Sequence, residues 1–439
     1  MRIFKFGGAS VKDADGVKNV ARVLRSQGLN NVLVVISAMG KMTNAFEEII
    51  NAYFYQQENS EDNLKEAISF VEDFHHEIIT DLFEENHEIF NKVDFLFAQL
   101  SGFMIQNKQN NSKNYNYVYD QIVGFGELLS THIVSAYLSE IDIKNQWIDV
   151  RECIKTDANF RDAKINWELT SQNITQKINK NISENTIYIT QGFLGSTSLK
   201  TASDIVEGNQ NFTATTTLGR EGSDYTAGVF AYCLNAQSVT IWKDVAGVLN
   251  ADPRVFSKTT LLHEISYTEA IEMAFYGASV IHPKTIQPLE QKNIPLFVRS
   301  FEDISNKGTC VGKGTKINPE IPCFIVKKNQ ILVSISAKDF SFMVESNISH
   351  VFEKLDEYQL KVNLIQNSAI SFSVCIEDKY NTFDSFYQDL KSTFIIKVYK
   401  DVTLYTIRHF DEKALQKIRE KGTAIIRQIN TETAQLVIQ

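Results

Sequence analysis

Lys5 is followed almost at once by Gly7 and Gly8, so an ammonium group and unhindered backbone N–H groups arise together. Far along the chain, residues 215–228 read Thr-Thr-Thr-Leu-Gly-Arg-Glu-Gly-Ser-Asp-Tyr-Thr-Ala-Gly. That spacing predicts a tight turn opening into a helix, with Ser223 and Asp224 at the cap end. Glycines let a backbone approach an anion closely, and a helix start offers free N–H groups and a positive dipole end. Arg220 adds a planar, permanently charged fork suited to a carboxylate or a phosphate. The chemistry implied is anion binding and neutralisation of anionic charge. Taken alone, the later stretch also fits a plain capped helix after a polar turn.

A chain of 439 residues should hold two or more domains, each with its own core. With 43% hydrophobic and 22% charged residues, the composition is that of an ordinary soluble protein. A net charge of -9 argues against nucleic acid or an anionic membrane as the main partner. No apolar run nears the ~20 residues that span a bilayer. The opening Met-Arg-Ile-Phe-Lys-Phe-Gly-Gly reads as a strand and turn, not a signal peptide. Cys153, Cys233, Cys310, Cys323 and Cys375 are odd in number and never in CxxC spacing, which favours reduced thiols over disulfides or a zinc site. The expectation is a cytoplasmic protein.

The elements that position these residues follow from hydrophobic patterning. Arg2–Phe6 reads as a short strand, and Val17, Val20, Ala21 and Leu24 as one face of a helix. The continuous apolar run 31–36 suits a strand covered on both faces, and it ends at a polar glycine turn carrying Ser37, Gly40 and Thr43. Such repeated strand–turn–helix units predict a parallel sheet, with ligands beyond the carboxyl ends of its strands. Residues 60–105 carry two long helical patterns, so about 46–114 is expected to be a helical insertion, with His75-His76 on a solvated face. Glu127 lies near the start of the next helix, and Phe193 follows a strand at 186–190. A strand at 238–242 leads to Lys243, Asp244, Leu249 and Asp252-Pro-Arg254, and a helix at 266–276 leads to Ser279. All six prolines lie from Pro253 onward, and the Gly/Pro-rich stretch 307–322 marks a domain boundary. Beyond it come short strands around helices.

Lys5-Phe-Gly-Gly-Ala-Ser-Val, Leu-Gly-Arg-Glu-Gly-Ser-Asp-Tyr-Thr, Trp-Lys-Asp-Val-Ala-Gly-Val with Ala-Asp-Pro-Arg, and Tyr-Gly-Ala-Ser-Val-Ile-His-Pro occur in an order that resembles the aspartate kinases. The resemblance spans almost the whole chain. It implies an α/β fold, a three-layer αβα sandwich with a mostly parallel sheet (the amino-acid-kinase fold) over 1–306. After a linker at 307–322, two interleaved α+β ACT-type regulatory domains are implied at 323–439. The first would be about 330–400; the second, 323–328 plus 402–439, is shorter than usual. The implied reaction moves the γ-phosphoryl of ATP, carried with Mg²⁺, to the side-chain carboxylate of L-aspartate. That carboxylate, with a pKa of about 3.9, is already ionised at neutral pH, so no base is needed.

The resemblance assigns Lys5, Gly8 and Asp224 to catalysis, with Asp224 orienting Lys5. Ser37, Thr43, Glu127, Phe193, Arg220 and Ser223 would bind aspartate, Arg220 at its α-carboxylate and Glu127 at its ammonium. Lys5, Gly7, Gly8, Lys243, Asp244, Leu249, Arg254 and Ser279 would border the nucleotide, and no protein residue is expected to ligate metal directly. Asn363, Gln366 and Asn367 would contact a lysine or threonine effector, in a homodimer formed through the ACT sheets. This sequence departs from the family pattern at Ala9 (usually Thr), Glu221 (commonly Gly), Lys243 (Thr), Leu249 (Tyr) and Ser279 (commonly Lys). The last departure suggests that Lys243 supplies the charge Ser279 lacks; a solvent-facing Lys243, with Lys284 or water in that role, is the alternative. Two other readings are a kinase of the same fold acting on glutamate, carbamate or a nucleotide, and an inert amino-acid-binding regulatory protein. The helical insertion and double ACT-like tail argue against the first, the intact Lys5, Arg220 and Asp224 against the second.

Overall fold

The computed structural model describes residues 1–55, 60–107, 114–178, 186–199, 212–278, 281–314, 316–339 and 341–439. By internal contacts the chain forms two units. The first is Met1–Val248, His263–Tyr267 and Ile281–Thr315; the second is Leu249–Leu262, Thr268–Val280 and Lys316–Gln439. The division is therefore not a single cut at 307–322, because two stretches before it group with the later unit.

The first unit is built on β1 (Arg2–Phe6), β2 (Val32–Ile36), β3 (Asn145–Ile148), β4 (Ile187–Gln191), β7 (Ser238–Lys243), β8 (Glu264–Ser266), β9 (Leu296–Ser300) and β10 (Thr309–Gly312). Between them, β5 (Leu194–Leu199) and β6 (Phe212–Thr217) form a separate antiparallel ribbon. The sheet order is β3-β4-β2-β1-β7-β9-β10-β8. From β3 to β9 every pairing is parallel, and β10 runs antiparallel to β9.

Alternation along the strands explains the layers. Phe4, Phe6, Val32, Val34 and Ile36 share a core with Val17, Val20 and Leu24 of helix Ala14–Gln27 and with Leu128, Leu129 and Ile133 of helix Phe125–Glu140. Ile3 and Lys5 point to the opposite face, where helix Gly222–Leu234 packs against β1, β2 and β7. With both faces covered, all five residues of β2 are buried.

The insertion contains helices Ser60–Leu82 and Ile89–Asn107, as the sequence patterns predict. The solvated face expected for His75-His76 is corrected. His75 is fully buried, its Nδ1 2.7 Å from the Val71 carbonyl oxygen, and its ring meets Phe74 and Phe97 edge-on. The reason is helical phase: His75 falls with Val71, Ile78 and Ile79 on the inward stripe. His76 is the outward residue, with Nε2 3.0 Å from Asp94 Oδ1. Among the described residues, no helix is long and apolar enough to cross a membrane.

The second unit carries β11 (Cys323–Ala337), β12 (Lys361–Asn367), β13 (Phe372–Glu377), β14 (Phe394–Arg408), β15 (Ala424–Ile429) and β16 (Thr433–Ile438). They form one antiparallel sheet in the order β12-β13-β11-β14-β16-β15. Where short strands were expected, β11 is one 15-residue strand, paired along its length with the equally long β14. An irregularity between Lys327 and Leu332 divides the pair, with Asn329 at φ 55° and Asp401 at φ 57°. On one side, Val333, Ile335 and Val374 pack under helices Glu345–Glu357 and Phe383–Leu390. On the other, Ile407 and Leu436 pack under Leu415 and Ile418 of helix Glu412–Arg419.

The buried histidine generates a test. Burial pushes His75 down to about 4, outweighing the pull of its bond to Val71. The folded value lies below the unfolded one of about 6.5. Its penalty is therefore absent above that pH and grows as pH falls towards 4. Between those limits the protein should lose up to about 3 kcal/mol more stability than its His75→Leu variant. Urea unfolding at stepped pH measures this; equal acid losses in the two proteins would remove His75 as the cause.

Candidate active site

The carboxyl ends of β1, β2 and β7 and the first turn of helix Gly222–Leu234 converge on a cleft of about 440 Å³. At its floor Lys5 Nζ lies 2.8 Å from Asp224 Oδ1, both side chains being almost fully buried. Lys243 Nζ stands 3.7 Å from the other oxygen of the same carboxylate. Burial alone would raise the Asp224 carboxyl, but the Lys5 and Lys243 ammoniums outweigh it and hold the group below its ordinary value. Gly8 is where two loops touch. A Cβ there would fall 2.5 Å from the Gly40 oxygen and 2.9 Å from the Ala38 oxygen, and Gly40 N–H donates to the Gly8 carbonyl at 3.0 Å. Any larger residue would push the glycine turn after β1 away from the turn after β2.

The wall facing that floor comes from the turn before helix Gly222–Leu234. Glu221 takes a left-handed conformation, φ 52°, as its helix N-cap, which is the conformation that favours the glycine common at this position. Its Oε2 is buried with no hydrogen-bond partner among the described residues. Arg220 is exposed in the cleft, and Ser223 Oγ donates to Ser37 Oγ at 3.2 Å. Thr43 and Phe193 complete this side. Glu127 reaches in from its helix: Oε1 accepts from Ala38 N–H at 3.3 Å, while Oε2 is buried without a partner among the described residues. Burial pushes this carboxyl up to about 8, against the opposing pull of the Ala38 N–H and Lys5. An unpartnered carboxylate oxygen facing a cleft is matched by a ligand cation. The site can hold a zwitterionic dicarboxylate against cationic and N–H donors.

The cleft thus gathers Lys5, Ser37, Thr43, Glu127, Phe193, Arg220, Ser223, Asp224 and Lys243. It does not gather every residue expected for the nucleotide. Asp244 is exposed and does not line the cleft. Leu249 bridges to Leu261 and Arg254 forks onto Asp252, Nη2 to Oδ2 at 2.8 Å, both in the second unit. Ser279 lies outside the described residues, and Lys243 faces Asp224. Two lining residues, Tyr119 and Arg161, escaped the sequence reading. Neither belongs to a glycine turn or a strand end, and only the backbone path brings them in.

The comparisons follow the same outline. The profile described as "Amino acid kinase family" matches residues 1–300. The chain is 31% identical over 386 residues to lysine-sensitive aspartokinase 3 of Escherichia coli (strain K12), covering 87% of this chain and 79% of that one.

The chain belongs to the amino acid kinase family, among the aspartokinases.

A bifunctional chloroplastic aspartokinase/homoserine dehydrogenase 1 of Arabidopsis thaliana is 29% identical over 388 residues, covering 85% of this chain and 40% of that one. The crystal structure of E. coli aspartokinase III in complex with lysine and aspartate (T-state) matches with a TM-score of 0.80 at 26% identity, covering 100% of this chain and 96% of that one. The same enzyme in complex with aspartate and ADP (R-state) matches at 0.77 and 27%, with the same coverage. The parallel sheet of this aspartokinase is thus the amino-acid-kinase fold, and its antiparallel sheet corresponds to the ACT region.

In that second sheet the three expected effector residues lie on the edge strand β12. Asn363 is half-buried, accepting from Lys327 Nζ and donating to Gln330 Oε1, each at 2.7 Å. Gln366 and Asn367 are exposed, and as strand neighbours they point to opposite faces.

Two outcomes are expected of this aspartokinase. Glu221→Gly relieves a left-handed conformation and an unpartnered oxygen, and should stabilise the fold by about 1 kcal/mol in denaturant titration; a destabilised variant would show that Glu221 is held by a contact of its own. The family resemblance gives Glu127 the substrate's ammonium group, and in that role it would have to ionise. Because its value in the cleft is about 8, an amino acid bound there would drive off a proton below that pH. Affinity for L-aspartate should therefore climb as pH rises from about 6.5 to 8 and then level off, with proton release seen by calorimetry in two buffers. The Glu127→Gln variant should show no such slope, and a flat profile in the parent enzyme contradicts the assignment.

Proposed function

We propose that this chain is an aspartate kinase, making 4-phospho-L-aspartate and ADP from L-aspartate and ATP at the head of lysine, threonine and methionine synthesis. A side-chain carboxylate oxygen of aspartate attacks the γ-phosphorus as its bond to the β,γ-bridging oxygen breaks. ADP leaves with that oxygen, and no proton has to move. The difficulty is electrostatic: two anions must meet, and charge spreads over the transferred group. The observation that carries the reading is the buried Lys5–Asp224 pair at 2.8 Å, in a cleft that also presents Arg220.

Lys5 neutralises the transferring phosphoryl group beside the N–H groups of Gly7 and Gly8, and Asp224 holds its ammonium in place. Arg220 takes the α-carboxylate, Glu127 the ammonium, and Ser37, Thr43 and Ser223 hydrogen-bond the substrate. Lys243 faces the phosphates from the end of β7. Mg²⁺ would be carried by the nucleotide, where it would supply further neutralisation of phosphate charge beside Lys5 and Lys243. Feedback by an amino acid is read by the second sheet. E. coli aspartokinase III has been solved with lysine, which makes lysine the first effector to try. The edge strand β12 offers unpaired backbone groups to a second copy, supporting a homodimer formed through these sheets.

The deciding experiment is ATP-dependent acyl-phosphate formation trapped as hydroxamate, with L-aspartate and L-glutamate compared. Aspartate should be strongly preferred. Lys5→Ala should lower kcat by about 10²–10³-fold in a folded protein, and Arg220→Ala should raise KM for aspartate by about tenfold or more. Preference for glutamate, or a Lys5→Ala enzyme with parental turnover, would overturn the assignment.

A further inference from the structure

We infer that Arg161 is a second guanidinium for the amino-acid substrate, gripping its α-carboxylate beside Arg220. The inference rests on the aspartate kinase reading and extends it to a residue that no glycine motif contains.

The first ground is backbone conformation. Arg161 sits at φ 72°, in the left-handed region that side chains other than glycine rarely adopt. It is held there from beneath. Its N–H lies 3.0 Å from Asp120 Oδ2 and 3.2 Å from Oδ1, and Asp120 is fully buried. The same carboxylate accepts from Thr217 N–H at 2.9 Å and Thr217 Oγ at 2.8 Å. Thr217 ends β6 and leads directly into Leu218-Gly219-Arg220. One buried carboxylate therefore fixes both the Arg161 turn and the Arg220 turn. The two also touch: the Arg161 carbonyl oxygen lies 3.2 Å from where a Gly219 Cβ would be. A strained residue over-determined by its surroundings points to a function for the side chain it presents.

The second ground is what the side chain does. The guanidinium carbon lies 4.3 Å from the centre of the Tyr119 ring and 5.7 Å from that of Tyr115. A guanidinium held over ring faces in this way keeps N–H donors available for a planar carboxylate. Arg161 is exposed, lines the cleft with Arg220, Phe193 and Glu127, and makes no ion pair among the described residues. Lys5 and Lys243, by contrast, both face Asp224. The cations of the cleft thus separate into a phosphate side at the strand ends and a carboxylate side at the Arg161 and Arg220 turns. With its α-carboxylate held by two forks, aspartate keeps its side-chain carboxylate free to face Lys5 and Gly8.

Arg161→Gly is the informative variant, because glycine adopts φ 72° without strain and the fold is expected to persist, as thermal unfolding will report. In the hydroxamate assay, its KM for L-aspartate should rise about tenfold or more while KM for ATP stays at the parental value. Arg161→Lys, keeping charge without the fork, should recover part of the loss. L-Aspartic acid α-amide, which lacks the α-carboxylate, separates contact from mere packing: its KM should hardly change on Arg161→Gly. An unchanged aspartate KM, or equal rises for aspartate and its α-amide, would overturn the inference while leaving the kinase reading intact. If the parent enzyme makes no hydroxamate from aspartate, the kinase reading falls, and calorimetric titration with L-aspartate then decides Arg161. Weaker binding by Arg161→Gly than by the parent supports the contact; equal binding, or none by either protein, overturns it.

Discussion

The structure of the first unit turns on one buried ion pair, Lys5 with Asp224. Removing two charges from water costs several kcal/mol per ion, so such a pair survives only where geometry and further partners compensate. The sheet order supplies that geometry. β1 lies between β2 and β7, which places Lys5 on the covered face directly under the first turn of helix Gly222–Leu234. Lys243, from the end of β7, is the further partner and keeps the carboxylate ionised under full burial. The result is a cation that cannot swing away and a carboxylate that cannot take up its proton near neutrality. Charge arriving on a ligand then meets a field already set, which is the form of electrostatic preorganisation that phosphoryl transfer needs.

The parts of this arrangement legible in the sequence were those where chemistry and backbone freedom share one stretch. Lys5 beside Gly7-Gly8, and Arg220 beside Gly219 and Gly222, announce a close approach of backbone to an anion before any fold is known. Parallel strands were legible because burial on both faces leaves no polar alternation, as in β2. Arg161 and Tyr119 were not legible, since their place in the cleft depends on a left-handed turn and a carboxylate at Asp120 that no local pattern encodes. His75 was misplaced by one helical position: of two adjacent histidines, the phase of the apolar stripe selects the first for burial. β11 was expected as separate short strands, because Asn329 looks like a strand end when it is a left-handed residue inside one long strand.

The least legible feature is which unit a segment serves. The stretch Thr268–Val280 leaves β8 and returns to helix Pro283–Lys292, both in the first unit, yet its own contacts are with the second. A buried fork explains this: Arg408 on β14 donates to Glu269 through Nε at 3.1 Å and Nη2 at 2.6 Å. Burial would raise the Glu269 carboxyl, but Arg408 holds it below its ordinary value, so the charge persists inside. Lys327 adds a second tie, for its Cε lies 2.7 Å from where a Gly277 Cβ would be, and its Nζ reaches Asn363 on β12. Breaking such a pair by losing one partner costs about 3–5 kcal/mol, so the segment cannot detach cheaply from the second sheet.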